Sequence, residues 1–217
     1  MYDINEIVNK IHNMDCLEFM KNIPDKSIDL ILTDPPYGIN CSKGVWKGRR
    51  YSREYNDTWD NKRPAKEYFS EILRISKNTI IFGGNFFTDL LPQNNHWIVW
   101  DKTGEIKFNN PFSDCELIWT NIDKNTIKKY LCIQAGFIAK EKERYHPTQK
   151  PVELIECIIR DYTKKTDVIL DCFLGSGTTA IACIRLNRRW IGCEIDPKYC
   201  KIAQERIDKE KRQLKLL

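Results

Sequence analysis

The chain has 217 residues, 41% of them hydrophobic and 30% charged, with a formal net charge of +5. That length accommodates a full hydrophobic core in one large α/β domain or two small ones. No run of about 18 apolar residues marks a membrane span, and the N-terminal MYDINEIVNK lacks a secretory pattern, so a cytoplasmic protein is expected.

Along the chain, residues 27–34 read as a buried strand and residues 64–77 as a helix with Pro64 in its first turn. Residues 78–84 form a short strand closed by two glycines. Two further strands, 96–102 and 115–121, have a hairpin-like connection between them. Residues 151–164 are an amphipathic helix, 167–173 a strand, 178–187 a helix and 188–196 a strand. Asp196 caps a closing helix that begins at Pro197. Strands alternating with helices predict a largely parallel sheet covered on both faces, with ligands beyond the carboxyl ends of the strands. Residues 40–63 and 122–147 fit this alternation poorly and are read as substrate-facing excursions. The nine cysteines include no Cys-x-x-Cys pair. Several, Cys115, Cys157, Cys172, Cys183 and Cys193, lie in apolar runs, so reduced and mostly buried thiols without a metal are expected.

Residues 43–53, KGVWKGRRYSR, contain five basic residues and no acidic one. Lys47, Arg49, Arg50 and Arg53 are candidates for contact with DNA phosphates; a solvated basic loop is the plainer alternative.

Two stretches sit at strand carboxyl ends. In LDCFLGSGTTAIAC, a strand runs into Gly175-x-Gly177 and then a helix, and Glu194 stands 19 residues beyond Gly175 at the end of the next strand. Such a turn lets a backbone approach a ligand closely, and the carboxylate can accept from ribose hydroxyls. This turn alone does not choose between a dinucleotide and an adenosyl compound, and a purely structural turn would look similar.

The other stretch is ILTDPPYG. A strand ends at Asp34, and Pro35 and Pro36 can donate no backbone hydrogen bonds. A nucleobase amine is a poor nucleophile because its lone pair is delocalised into the ring. Holding its N–H groups with the Asp34 carboxylate and the Pro35 carbonyl favours a tetrahedral nitrogen, and Tyr37 offers a flat face for the base. A duplex base reaches such a site only when flipped out.

DPPYG, HPTQKP and FLGSGTT, in this order, resemble the beta-class DNA amino-methyltransferases, whose catalytic motif precedes the cofactor motif. The run FGGNFFTDLLP…WIVWDK…FSDCELIWT is similar to compact phage-type adenine members. The resemblance spans about Asn13 to Ile207. It implies a doubly wound, mostly parallel seven-stranded sheet with one antiparallel strand, in a single domain over 1–217. It also implies S-adenosylmethionine as methyl donor and the adenine N6 of double-stranded DNA as acceptor. By position it assigns Asp34, Pro35, Pro36 and Tyr37 to catalysis. To the cofactor it assigns Asp15, Asp34, Asp171, Phe173, Gly175, Gly177, Thr178 and Glu194, with Thr148 and Lys150 approaching the methionine end. Asp15 reads equally well as a helix N-cap, and His146 as a turn residue. No separate target-recognition domain is expected, which leaves 40–63 and 122–147 to read DNA. A bacterial or phage origin is implied, a cognate restriction enzyme is a candidate partner, and monomer and homodimer both stay open.

Cytosine N4 methylation uses the same chemistry, although aspartate rather than serine at position 34 leans towards adenine in this family. An adenosyl-cofactor enzyme acting on RNA or a free base is a further alternative. An idle nucleic-acid binder is another, but the intact Asp34 and glycine turn argue against it.

Overall fold

The computed structural model describes residues 1–39, 60–106, 113–134, 145–146 and 148–214, together with the backbone of 45–46 and 49–50. In chain order the elements are α1 (Ile4–Ile7), β1 (Lys10–Asn13), α2 (Cys16–Met20), β2 (Ile28–Thr33) and the two-residue strands β3 (Val45–Trp46) and β4 (Arg49–Arg50). Next come α3 (Lys66–Ile75), β5 (Ser76–Phe82), β6 (Trp97–Asp101), β7 (Cys115–Thr120) and β8 (Lys128–Leu131). The chain then continues through α4 (Val152–Tyr162), β9 (Val168–Asp171), α5 (Thr178–Arg185), β10 (Arg189–Glu194) and α6 (Pro197–Leu214).

The main sheet has the order β1-β10-β9-β2-β5-β7-β6-β8. β1, β10, β9, β2 and β5 run parallel. β7 is antiparallel to both β5 and β6, and β8 runs parallel to β6. The single antiparallel strand is therefore β7, as expected, but the sheet has eight strands rather than seven. The extra strand, β8, is a short edge strand of sequence KKYL, mostly exposed. Lysines suit an edge that must not pair further, and they leave no buried apolar run by which to recognise a strand.

β2 is buried at all but one position, which suits a central parallel strand covered on both faces. Alternation along the strands sends Leu30, Leu32, Ile80, Phe82 and Ile169 into one core with Leu154, Ile155, Ile158 and Ile159 of α4 and Ala180 and Ala203 of α5 and α6. Ile31, Ile81 and Leu170 enter the other core, with Phe19 and Met20 of α2 and Phe69, Ile72 and Ile75 of α3. This is the doubly wound arrangement. The chain starts at one edge of the sheet and works outwards in both directions from the β9–β2 pair, so the two strand ends that border a binding crevice belong to β9 and β2.

α3 passes into β5 with no loop, ending two residues earlier than its sequence pattern suggests. Ser76 is already extended (φ −103°, ψ 148°), and its hydroxyl donates to the Ile72 carbonyl at 2.7 Å. The described cysteines are free thiols. Cys172, Cys183 and Cys193 are buried, but Cys115 is exposed and Cys157 only half-buried. Cys115 opens β7 before its buried half begins at Ile118. No described helix is long and apolar enough to cross a membrane.

Candidate active site

β2 delivers Asp34 to the crevice, and the buried Pro35 stiffens the exit from the strand. Tyr37 turns back beneath it. The Tyr37 ring stacks on Phe86 (centroids 4.7 Å apart, interplanar angle 15°) and meets Phe87 edge-on at 6.0 Å. Its place is made by Gly83, which lies just past β5 at φ +64°; a Cβ there would stand 2.3 Å from Tyr37 Cε1. The loop beyond Tyr37 is pinned where the Gly38 N–H donates to the Asp60 carboxylate at 2.8 Å, and Asp60 is buried. Phe86 is held in turn by Arg63, which donates to its carbonyl and, bidentately, to Asp89.

The expected flat face of Tyr37 is therefore already covered on one side by Phe86, and its hydroxyl is engaged as well. Tyr37 Oη lies 2.6 Å from Asp34 Oδ1 and 2.6 Å from Glu116 Oε1. Lys150 Nζ donates to Asp34 Oδ2 at 2.5 Å and stands 3.3 Å from Glu116 Oε1. Lys102 Nζ is 3.1 Å from Glu116 Oε2. Two carboxylates, two ammonium groups and a phenol thus converge from β2, β6, β7 and the segment before α4. Burial pushes the Asp34 carboxyl upwards; Lys150 opposes this, and the charge of Glu116 reinforces it. Burial acts on Glu116 in the same sense, but Lys150 and Lys102 outweigh it and hold that carboxyl below its ordinary range. Burial also lifts the Tyr37 hydroxyl well above the phenolic range, helped by both carboxylates. Burial works against the charge of Lys150, but Asp34 and Glu116 overcome it and raise that ammonium group.

The resemblance puts Lys150 at the methionine end of a cofactor; here its ammonium group stands against the Asp34 carboxylate. Glu116 and Lys102 carry no motif. Their one signal is an acidic residue inside the apolar run CELIWT, diagonally across from a lysine that directly follows WIVWD; Glu116 pairs with Trp100, two residues before Lys102.

The glycine turn adjoins this cluster. Asp171, at the end of β9, accepts from Thr33 Oγ1 at 2.8 Å, the Phe173 N–H at 3.1 Å and Thr179 Oγ1 at 2.6 Å. Both of its oxygens therefore serve the protein's own donors, and the side chain braces the turn. Burial raises its pKa to about 6, against the pull of those three donors. Glu194 Oε2 accepts the Gly175 N–H at 2.7 Å, and Oε1 accepts the Asp196 N–H at 2.9 Å. Gly177 caps α5 at φ +86°, where a Cβ would come within 3.0 Å of Ala203. Thr178 follows, buried in the first turn of α5. Phe173 stacks on Tyr68 with ring centroids 6.3 Å apart. Asp15 caps α2 by accepting the Leu17 N–H at 2.8 Å, and its other oxygen accepts from Tyr68 Oη at 2.8 Å.

Within HPTQKP, His146 and Gln149 lie against this turn. Thr148 Oγ1 and His146 Nδ1 are 3.1 Å apart, and the His146 ring meets Tyr199 edge-on at 4.6 Å. Ser176 donates to Gln149 at 3.2 Å and accepts from Arg206 at 2.9 Å. Of the basic run, Lys47 and Arg53 lie outside the described residues. Arg49 and Arg50 pair as backbone with Trp46 and Val45, and their side chains lie outside the described part.

The residues around the turn fit an adenosyl ligand. Among the described residues, a Cβ at Gly175 would face only His146 Cδ2, at 4.0 Å, so they leave that side of the turn open. Asp15 and Glu194 stand half-buried at the ends of the neighbouring strands, with lone pairs to spare for hydroxyl and amine donors.

Comparison with known proteins agrees with this geometry. The model of the N6/N4 DNA methylase family matches residues 94–205. The chain is 31% identical to the Type II methyltransferase M.HinfI of Haemophilus influenzae, over 94% of this chain and 70% of that protein. TTHA0409 of Thermus thermophilus, solved complexed with S-adenosyl-L-methionine, superposes with a TM-score of 0.62 at 21% identity, covering 93% of each chain. The cytosine-N4-specific PvuII DNA methyltransferase shares the fold, with a TM-score of 0.57 at 17% identity over 94% of this chain and 91% of that one.

Proposed function

The chain belongs to the N6/N4 DNA methylase family, and from that premise we propose that it transfers the methyl group of S-adenosylmethionine to the N6 amine of adenine in double-stranded DNA. The observation that carries this reading is the adjacency of two strand ends. β2 and β9 are hydrogen-bonded neighbours, with Leu30 beside Ile169 and Ile31 beside Leu170. Asp34 and the Gly175–Gly177 turn therefore border one crevice, close enough for an amine held at the first to meet a methyl group held at the second.

The bound donor supplies a methyl group on a positively charged sulfur. The chain's own residues do the rest. Gly175, Gly177, Phe173 and Glu194 hold the adenosyl part, with Asp15 at its adenine end. The Asp34 carboxylate and the Pro35 carbonyl accept the two N–H groups of a flipped adenine, turning the nitrogen lone pair towards the donor. The methylated amine is strongly acidic and loses its proton to water. A purine carries its amine farther from the sugar than a pyrimidine does. A pocket aligned for adenine therefore leaves cytosine N4 short, and a displacement of ~1 Å can cost about 100-fold. Aspartate at position 34 supports the purine. The whole chain acts as one domain, and the segments 40–63 and 122–147, which lie partly outside the described residues and of which Lys128–Leu131 form the edge strand β8, are the candidates for meeting the DNA.

Incubation with labelled S-adenosylmethionine and duplex DNA, followed by mass spectrometry of the nucleosides, tests this. N6-methyladenine is the expected product. Mostly N4-methylcytosine overturns the choice of base, and label in RNA but not DNA overturns the choice of substrate.

A further inference from the structure

The pocket holds a second carboxylate that the reaction as drawn leaves unused. Glu116 and Asp34 share the same two donors. Tyr37 Oη is 2.6 Å from each, and Lys150 Nζ is 2.5 Å from Asp34 and 3.3 Å from Glu116. A hydroxyl has one proton to donate, so Tyr37 serves one carboxylate fully at a time. The side chains of Lys150 and Glu116 are only 9% and 12% exposed, so water is a poor substitute partner for either. Lys102 anchors the far oxygen of Glu116 and fixes it in place.

An amine arriving at Asp34 meets oxygens that each already hold a donor, Tyr37 on Oδ1 and Lys150 on Oδ2, and must compete with them for the carboxylate's charge. Both donors can leave Asp34 without being stranded only if another acceptor is within reach, and Glu116 is that acceptor. We propose that Glu116 is a positioning residue for methyl transfer, drawing Tyr37 and Lys150 away from Asp34 as the amine docks. This rests on the amine-transfer reading above.

The charge of Glu116 also bears on the ionisation of Asp34. Among the described residues, the groups facing Asp34 are Tyr37 on its own loop, Glu116 on β7, Lys150 ahead of α4 and Asp171 at the end of β9, with Lys102 behind Glu116. Glu116 disfavours ionised Asp34, so neutralising Glu116 moves the ionisation of Asp34 to lower pH.

The experiment is single-turnover transfer from labelled S-adenosylmethionine to duplex DNA across pH. It compares wild type, Glu116→Gln and Glu116→Asp, with cofactor affinity and thermal unfolding measured on each. Glu116→Gln should lower the plateau rate by about tenfold, the effect of one lost charge-assisted bond. It should also shift the acid limb to lower pH and leave cofactor affinity within about twofold of wild type. Glu116→Asp keeps the charge but falls short of Tyr37, so the plateau should drop while the acid limb stays in place. A wild-type plateau in either folded variant, or an unmoved acid limb in folded Glu116→Gln, overturns the proposal. If Glu116→Gln does not fold, the plateau of Glu116→Asp decides alone. No methyl transfer to DNA by the wild type brings down the reaction itself, and this inference with it. An active wild type with unaffected variants brings down this inference only.

Discussion

Thr33 Oγ1 donates to Asp171 Oδ1 at 2.8 Å, tying the end of β2 to the end of β9. The bond joins the strand that carries the proposed catalytic motif to the strand that carries the glycine turn. Because Asp171 is buried, it also makes stability depend on pH. Its carboxyl titrates at about 6, above the ordinary 3.8. A raised acid pKa means that the folded state binds the proton more tightly than the unfolded state. Its contribution is therefore most favourable below the ordinary value and is lost as pH rises through about 6. At 1.36 kcal/mol per pH unit the change amounts to about 3 kcal/mol. Urea unfolding of wild type and Asp171→Asn should show their stability difference shifting against wild type by about that much between pH 3.8 and 6. A difference that is constant across this window would mean that the carboxyl titrates normally.

Asp34→Ala should lower single-turnover methyl transfer by at least ~100-fold, comparable with loss of a preorganised polar group. Cofactor affinity, measured by calorimetry, should change little, because the glycine turn lies on another strand. Turnover close to wild type would remove Asp34 from the reaction.

Tyr37 tests whether a ring face is sufficient. A residue used only for stacking would tolerate phenylalanine. The hydroxyl, however, contacts both Asp34 and Glu116. Tyr37→Phe should therefore slow transfer by about 10- to 100-fold, the cost of leaving a buried charged partner short of a donor. Tyr37→Ala should lose a further ~1–3 kcal/mol of stacking. Equal rates for wild type and Tyr37→Phe would leave the hydroxyl without a role in the reaction.

Lys47, Arg49, Arg50 and Arg53 form an acid-free basic run. If they meet phosphates, each neutral substitution should weaken binding to all DNA sequences alike and flatten the salt dependence by about one unit of slope. Fluorescence anisotropy at several salt concentrations measures this. An unchanged slope after all four are neutralised would identify a solvated loop.

The alternation of strands and helices, the glycine turn and the DPPY stretch are legible in the amino-acid sequence because each is a local pattern. A buried strand must be continuously apolar, a turn at positive φ favours glycine, and a strand that stops at two prolines declares its own end. The same logic explains what stays hidden. β8 exposes lysines at a sheet edge, so it carries no apolar signature. Gly83 reads locally as the close of a strand, but its left-handed turn makes room for Tyr37, far earlier in the chain. Glu116 and Lys102 are ordinary charged residues on two strands, and Lys150, though singled out within HPTQKP, carries no local sign that its ammonium group meets Asp34. Only the antiparallel pairing of β6 with β7, and the passage of the chain before α4 over the same crevice, bring them to Asp34. Local sequence thus determined which chemical groups the protein carries at its strand ends. The tertiary structure decided which charges are buried together, because burial and mutual distance, neither of them encoded by neighbours in the chain, set the strength of the coupling between ionisable groups.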